Sequence, residues 1–198
     1  MQNKILIATQ NNGKIKEIKN KLSSFGIEFV SLLDLEEKFP EPVEDGNTFF
    51  DNALIKAKYY NGKTGYTCLA DDSGLSVDCL DGEPGIKSSR FAGENASDED
   101  NIDKLIELLK GKDNKSAKFV CCMVLFVDSN RIISASGEVR GEIINIRRGG
   151  NGFGYDPVFY IPELGKTMAE ISLEQKNGLS HRAKALTDLK SKLYNLNR

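Results

Sequence analysis

The sequence predicts an α/β fold in which helices flank a mixed β-sheet within one domain spanning residues 1–198. Three observations predict it. Short apolar runs of strand length alternate along the chain with segments whose apolar residues recur at helical spacing. Gly, Asn, Asp, Ser and Pro stand where one pattern gives way to the other. The 198 residues are 39% hydrophobic and 28% charged, enough apolar material for one core and too much for a disordered chain.

Taken in order, Lys4 to Ala8 is a short buried strand, and the polar turn Thr9 to Gly13 leads into a helix with Ile15, Ile18 and Leu22 on one face. Asn47 or Thr48 caps a second helix, with Phe49, Phe50, Ala53, Leu54 and Ala57 inward and Asn52 and Lys56 outward at i, i+4. Tyr66 to Ala70 is a strand expected to stop at Asp71-Asp72-Ser73-Gly74, after which Leu75, Val77 and Cys79 alternate as a second, half-buried one. Ser97 caps a third helix whose Ile102, Leu105, Ile106 and Leu109 pack inward; its first-turn acids Asp98, Glu99 and Asp100 match the helix dipole and need no further function. Ala117 to Val127 and Arg131 to Val139 form a hairpin about the turn Asp128-Ser129-Asn130, with a further strand near Glu142 to Ile146. The glycine-rich segment Gly149 to Pro157 precedes a strand at Val158 to Ile161 that Pro162 closes. Ser180 caps the last helix, with Ala183, Leu186, Leu189 and Leu193 inward.

Composition excludes several classes of function. Lys and Arg number 27 against 29 Asp and Glu, a net charge of −2, so there is no bulk attraction to nucleic acid or anionic membrane. No apolar run approaches the roughly 20 residues of a membrane helix, and a soluble cytoplasmic protein is expected. The four cysteines lie in no C-x-x-C pair, and the single histidine, His181, rules out multi-histidine metal sites.

Five segments could carry chemistry. Thr9-Gln10-Asn11-Asn12-Gly13-Lys14 is compatible with an ordinary polar turn and with a phosphate cradle built from free backbone N–H groups and one ammonium. It is not a Walker A loop, because Ile15 stands where the Mg²⁺-binding Ser or Thr would be. Glu44-Asp45 and Asp71-Asp72 offer the oxygen ligands that Mg²⁺ takes, or plain turn chemistry. Gly149-Gly150-Asn151-Gly152-Phe153-Gly154-Tyr155-Asp156 leaves an aromatic ring between glycines, suited either to stacking on a base or to a tight turn with a core phenylalanine. His181-Arg182 places cations in the first turn of a helix, at a cost of a few tenths to about 1 kcal/mol. An arriving anion or oxygen-rich ligand would explain them; two exposed side chains are the alternative. Lys176 adds a donor upstream.

Together these motifs resemble the inosine triphosphate pyrophosphatase family, also called XTP/dITP diphosphatases. The resemblance rests on Ala8 to Lys14, Glu44-Asp45-Gly46 with Thr48-Phe49, Asn52-Ala53, Lys56-Ala57, Ala70 to Leu75, Pro84-Gly85-Ile86 with Ser89-Arg90-Phe91, Gly152 to Pro157, Gly165-Lys166-Thr167 and Ser180-His181-Arg182, in family order. It implies two α/β lobes around a long mixed β-sheet flanked by helices, an active cleft between the lobes, a homodimer, and Mg²⁺-dependent hydrolysis of deaminated purine nucleoside triphosphates (ITP, dITP, XTP) to monophosphate and pyrophosphate. It further implies Asp72 as general base and Glu44 and Asp72, with Asp71, as the Mg²⁺ site. Thr9, Asn11, Asn12, Gly13, Lys14, Lys56 and Ser73 would hold the triphosphate. Phe153, Gly154, Tyr155, Asp156, Lys176, His181 and Arg182 would surround the base, and Arg90 matches a family position without an assigned role. Gln10 and Asn151 depart from residues frequent in the family without removing a proposed functional group. The competing functions are a pyrophosphatase of pyrimidine triphosphates, a non-catalytic nucleotide sensor and an RNA-binding module; the last is disfavoured by the acidic balance.

Overall fold

The computed structural model describes residues 4–23 and 26–196. These hold strands β1 (Lys4–Ile7), β2 (Glu28–Ser31), β3 (Thr67–Val77), β4 (Ser116–Asp128), β5 (Arg131–Ile143), β6 (Phe159–Ile161) and β7 (Lys166–Thr167). The helices are α1 (Asn12–Leu22), α2 (Phe49–Thr64), α3 (Asp98–Leu108), α4 (Leu173–Leu179) and α5 (His181–Leu196). The sheet order is β2-β1-β3-β4-β5-β6-β7. β1 runs parallel to both β2 and β3, whereas β6 is antiparallel to β5 and β7, so the sheet is mixed and the fold is α/β.

The chain divides into two compact units. Unit 1 comprises Met1–Asp72, Cys121–Gly137 and Arg182–Arg198; unit 2 comprises Ser73–Val120 and Glu138–His181. In unit 1 the period of two along each strand builds two cores on opposite sheet faces. Ile5, Ile7, Leu69, Cys121 and Met123 face α1 and α5 through Ile15, Ile18, Leu22, Leu186 and Leu189. Leu6, Ala8, Cys68, Ala70 and Val124 face α2 through Ala53, Ala57 and Tyr60. In unit 2, Leu75 and Val77 of β3 join Phe119, Val139, Ile143, Phe159 and the Ile102, Leu105 and Leu109 stripe of α3 and its C-cap.

Local chemistry fixes the helix ends. Thr48 and Ser97 each accept the backbone N–H of their third helical residue, and Asp51 and Asp100 return the bond, closing capping boxes on α2 and α3. Gly65 ends α2 at φ 71°, a left-handed conformation that glycine adopts without a Cβ penalty. No helix among the described residues is long and apolar enough to cross a membrane.

Three expectations are corrected. β3 does not stop at Asp71 but continues to Val77, so both carboxylates lie within a strand; backbone pairing overrides the turn preference of Asp-Ser-Gly. The separate strand near Glu142 to Ile146 does not exist, since β5 runs on to Ile143. The turn of α2 around Asn52 is reversed: Asn52 is 1% exposed and Phe50 38%. Beyond these, β2, β7 and α4, of four, two and seven residues, are elements that the sequence reading did not pick out.

Candidate active site

In unit 1 the adjacent carboxylates of β3 point to opposite faces, as strand geometry requires. Asp71 shares the face of Leu69, toward α1 and α5. Lys14 Nζ lies 2.9 Å from its Oδ2 and Arg182 Nε 3.5 Å, with the Asp71 and Arg182 side chains 2% and 4% exposed. Arg182 Nη1 also reaches Glu17 Oε2 at 3.2 Å. Burial works to raise the Asp71 carboxyl, but the charges of Lys14, Arg182 and Lys56 outweigh it and hold the group well below the usual carboxylate range.

Asp72 shares the face of Cys68 and Ala70, toward α2. Asn52 Nδ2 donates to its Oδ2 at 3.0 Å, while Asn52 Oδ1 accepts from the Gly46 N–H at 2.9 Å. Lys56, one turn further along α2, sits 3.1 Å from Glu44 Oε2. Burial pushes Asp72 up; Lys56 and Asn52 pull it down, Glu44 pushes it up again, and the net direction is upward. Burial opposes the Lys56 charge, yet the fields of Asp71, Asp72 and Glu44 hold that ammonium above its ordinary value.

Among the described residues no three His, Cys, Asp or Glu side chains are grouped as a metal cage. Mg²⁺ seldom needs one, because it keeps waters and binds through one or two carboxylates plus substrate phosphates. Glu44 and Asp72, two carboxylates that repel each other, fit that donor set. A pocket of about 70 Å³ lies beside Glu44, lined by Thr9, Gln10, Lys56 and Tyr60 among others.

The loop before α1 is closed on itself. Thr9 Oγ1 accepts the Asn11 N–H at 3.2 Å, and Asn11 Oδ1 accepts those of Gly13 and Lys14 at 2.9 and 3.1 Å. The N–H groups of Gly13 and Lys14, expected to be free, are therefore taken up by the Asn11 N-cap of α1, and that of Asn11 by the Thr9 hydroxyl. Asn12 and Gly13 are exposed.

In unit 2 the glycine loop is anchored at three points. Asp156 Oδ2 accepts from Lys176 Nζ at 2.6 Å and from the Phe153 N–H at 3.1 Å. Asp98 Oδ2 accepts the Gly154 N–H at 2.7 Å, giving the first turn of α3 a task beyond the helix dipole. The Tyr155 ring is buried in the core and its hydroxyl donates to the Ser88 carbonyl at 2.8 Å, so this side chain holds the loop. Phe153 is 53% exposed, against the core-phenylalanine alternative. His181 stacks on Phe119 with centroids 5.1 Å apart. His181 and Arg182 are both buried, which excludes a pair of exposed cations. Ser73 is half-buried on β3, and Arg90 pairs with Glu94 at 3.7 Å.

The model of the Ham1 family matches residues 5–192. The chain belongs to the Ham1 family. It is 45% identical over 190 residues to a protein of Exiguobacterium sp. named dITP/XTP pyrophosphatase, covering 96% of both chains. It is 47% identical over 198 residues to one of the same name from Haemophilus influenzae, covering 98% of this chain and 100% of that one. The structure of a HAM1 protein from Coxiella burnetii superposes with a TM-score of 0.91 at 39% identity, covering 97% of this chain and 98% of that one.

In this Ham1 chain two residues of the site escape the helical periodicity. Asn52 lies among inward residues of α2, and its only sequence signal is its place in the Asn52-Ala53 motif. Glu17 lies three residues after Lys14 and has the look of a surface helix residue, yet it meets Arg182 from 165 positions away. No periodicity within α1 encodes that contact.

Proposed function

We propose that this chain hydrolyses deaminated purine nucleoside triphosphates, ITP, dITP and XTP, to the nucleoside monophosphate and pyrophosphate, using Mg²⁺. One observation carries the proposal: Asp72, held by Asn52, lies with Glu44 in the field of the Lys56 ammonium. The names of its relatives support the same substrate class.

Asp72 orients a water and takes its proton for attack at the α-phosphorus. A carboxylate raised above its ordinary value is a better base for that step. Lys14 and Lys56, with Thr9, Asn11 and Ser73, hold the triphosphate. Glu44 and Asp72 would hold Mg²⁺, which when bound neutralises charge developing on the phosphate oxygens. Phe153 stacks on the purine, its loop kept in place by Asp156, Asp98 and Tyr155. Lys176, His181 and Arg182 supply donors toward the 6-oxo group, where the amino group of adenine would leave a donor unpaired at a cost of about 1–3 kcal/mol.

The same reading takes the working form as a cytoplasmic homodimer. The four free thiols Cys68, Cys79, Cys121 and Cys122 fit a reducing compartment. The deciding experiment incubates the protein with Mg²⁺ and ITP, XTP, dITP, GTP, ATP or UTP and identifies the phosphorus products by ³¹P NMR. Pyrophosphate from ITP, far faster than from ATP or UTP, is expected. Orthophosphate and inosine diphosphate, or equal rates with ATP, would overturn the proposal.

A further inference from the structure

We propose that Asp71 is a positioning residue, the shared counter-ion that fixes the Lys14 ammonium and the Arg182 guanidinium, and not a ligand of the divalent cation; the proposal rests on the pyrophosphatase reading of the site. The resemblance groups Asp71 with the metal carboxylates because it is adjacent to Asp72. Strand geometry separates them: consecutive β3 side chains leave the sheet on opposite faces, and Glu44 acts with Asp72 and Lys56 on the α2 face.

On its own face Asp71 is already engaged. Oδ2 meets Lys14 Nζ at 2.9 Å and Arg182 Nε at 3.5 Å, with the three side chains 2%, 17% and 4% exposed. Glu17, 22% exposed, meets the same guanidinium at 3.2 Å, so two carboxylates and two cations are paired in one largely buried cluster. Such a cluster has no surplus negative charge to draw a divalent ion. It does remove freedom from two long side chains: a lysine of four rotatable carbons and an arginine are each held at one end of their range before any substrate arrives. The aligned ammonium is then ready to meet charge that builds up during phosphoryl transfer, which is the preorganisation on which electrostatic catalysis depends.

The test uses the full-length protein, Mn²⁺ as the divalent probe followed by its EPR signal, and ITP turnover with Mg²⁺. Asp71→Asn is expected to bind Mn²⁺ within twofold of the wild type, whereas Asp72→Asn binds at least tenfold more weakly. Asp71→Asn is expected to lower kcat for ITP about a hundredfold, the scale of a small misplacement, while KM changes less than threefold. Lys14→Gln should then lower kcat much less in the Asp71→Asn background than in the wild type. Acylation of Lys14 by acetic anhydride, mapped by peptide mass, should be at least fivefold faster in Asp71→Asn, with exposed Lys16 unchanged. A tenfold loss of Mn²⁺ affinity in Asp71→Asn would make Asp71 a ligand and overturn the proposal, as would independent, multiplying effects of the two substitutions or an unchanged Lys14 reactivity. If Asp71→Asn alone does not fold, the charge-balanced pair Lys14→Gln with Asp71→Asn answers the ligand question by the same Mn²⁺ titration. Absence of pyrophosphate release by the wild type would instead defeat the functional reading, and the Lys14 labelling comparison would still decide the role of Asp71.

Discussion

Asn52 donates to Asp72 at 3.0 Å and at its other end accepts from Gly46, so one buried amide ties a carboxylate of β3 to the loop that carries Glu44. Replacing it with alanine leaves the Gly46 N–H and an Asp72 oxygen without that partner. Asn52→Ala is expected to lower kcat for ITP by about a hundredfold and to destabilise the fold by about 1–3 kcal/mol. Steady-state kinetics and urea melts check both, and near-normal kcat would show that Asp72 needs no such support.

Asp72→Asn separates chemistry from stability. With Asp72 as the proposed base, the substitution should reduce turnover by about 10²–10⁴-fold while ITP binding by calorimetry persists. Because Asp72 is raised in the fold, its charged form is disfavoured there at neutral pH, so the neutral variant should melt at a higher temperature than the wild type in metal-free buffer. Added Mg²⁺ should raise the wild-type melting temperature and leave that of the variant almost unmoved.

Asp71 has the opposite dependence on pH. Its carboxyl is depressed in the fold, so its stabilisation is complete above the ordinary aspartate value of 3.8 and is lost as pH falls from there through the lower folded value. Asp71→Asn should cost about 3–5 kcal/mol at neutral pH, the scale of a broken buried pair. Its acid limb below about pH 4 should be shallower than that of the wild type. Urea midpoints taken from pH 7 down to the acid transition test this; parallel limbs would count against it.

Gly152 sets the shape of the glycine loop. It sits at φ 90°, and a Cβ there would run into the Asp156 carboxylate and the Lys176 ammonium. Gly152→Ala is therefore expected to displace that ion pair at a backbone and contact cost of about 1–3 kcal/mol. KM for ITP should rise more than tenfold while kcat falls less. A variant with unchanged discrimination between ITP and ATP would remove the loop from base recognition.

Much of the fold was legible because strand and helix periods differ. Ile15, Ile18 and Leu22, or Leu186 and Leu189, mark their buried faces by spacing alone. Short elements were not legible: Lys166–Thr167 is two residues long and owes its place to β6. Asn52 misled for a physical reason, since a polar side chain on a helix is assigned to solvent unless its buried partners are known. Here the partners, Gly46 and Asp72, come from before the helix and from a different strand. The candidate residues themselves were found by motif, but motif proximity placed Asp71 beside Asp72 where the strand sets them apart.

The unbroken course of β3 through its two acids makes their identities a matter of parity. Adding or deleting one residue upstream in that strand would turn Asp71 toward α2 and Asp72 toward α1 and α5, with composition and charge almost untouched. A one-residue insertion or deletion is therefore far less tolerable in β3 before Asp71 than in a connecting loop, whereas exchange of one side chain for another leaves the parity intact.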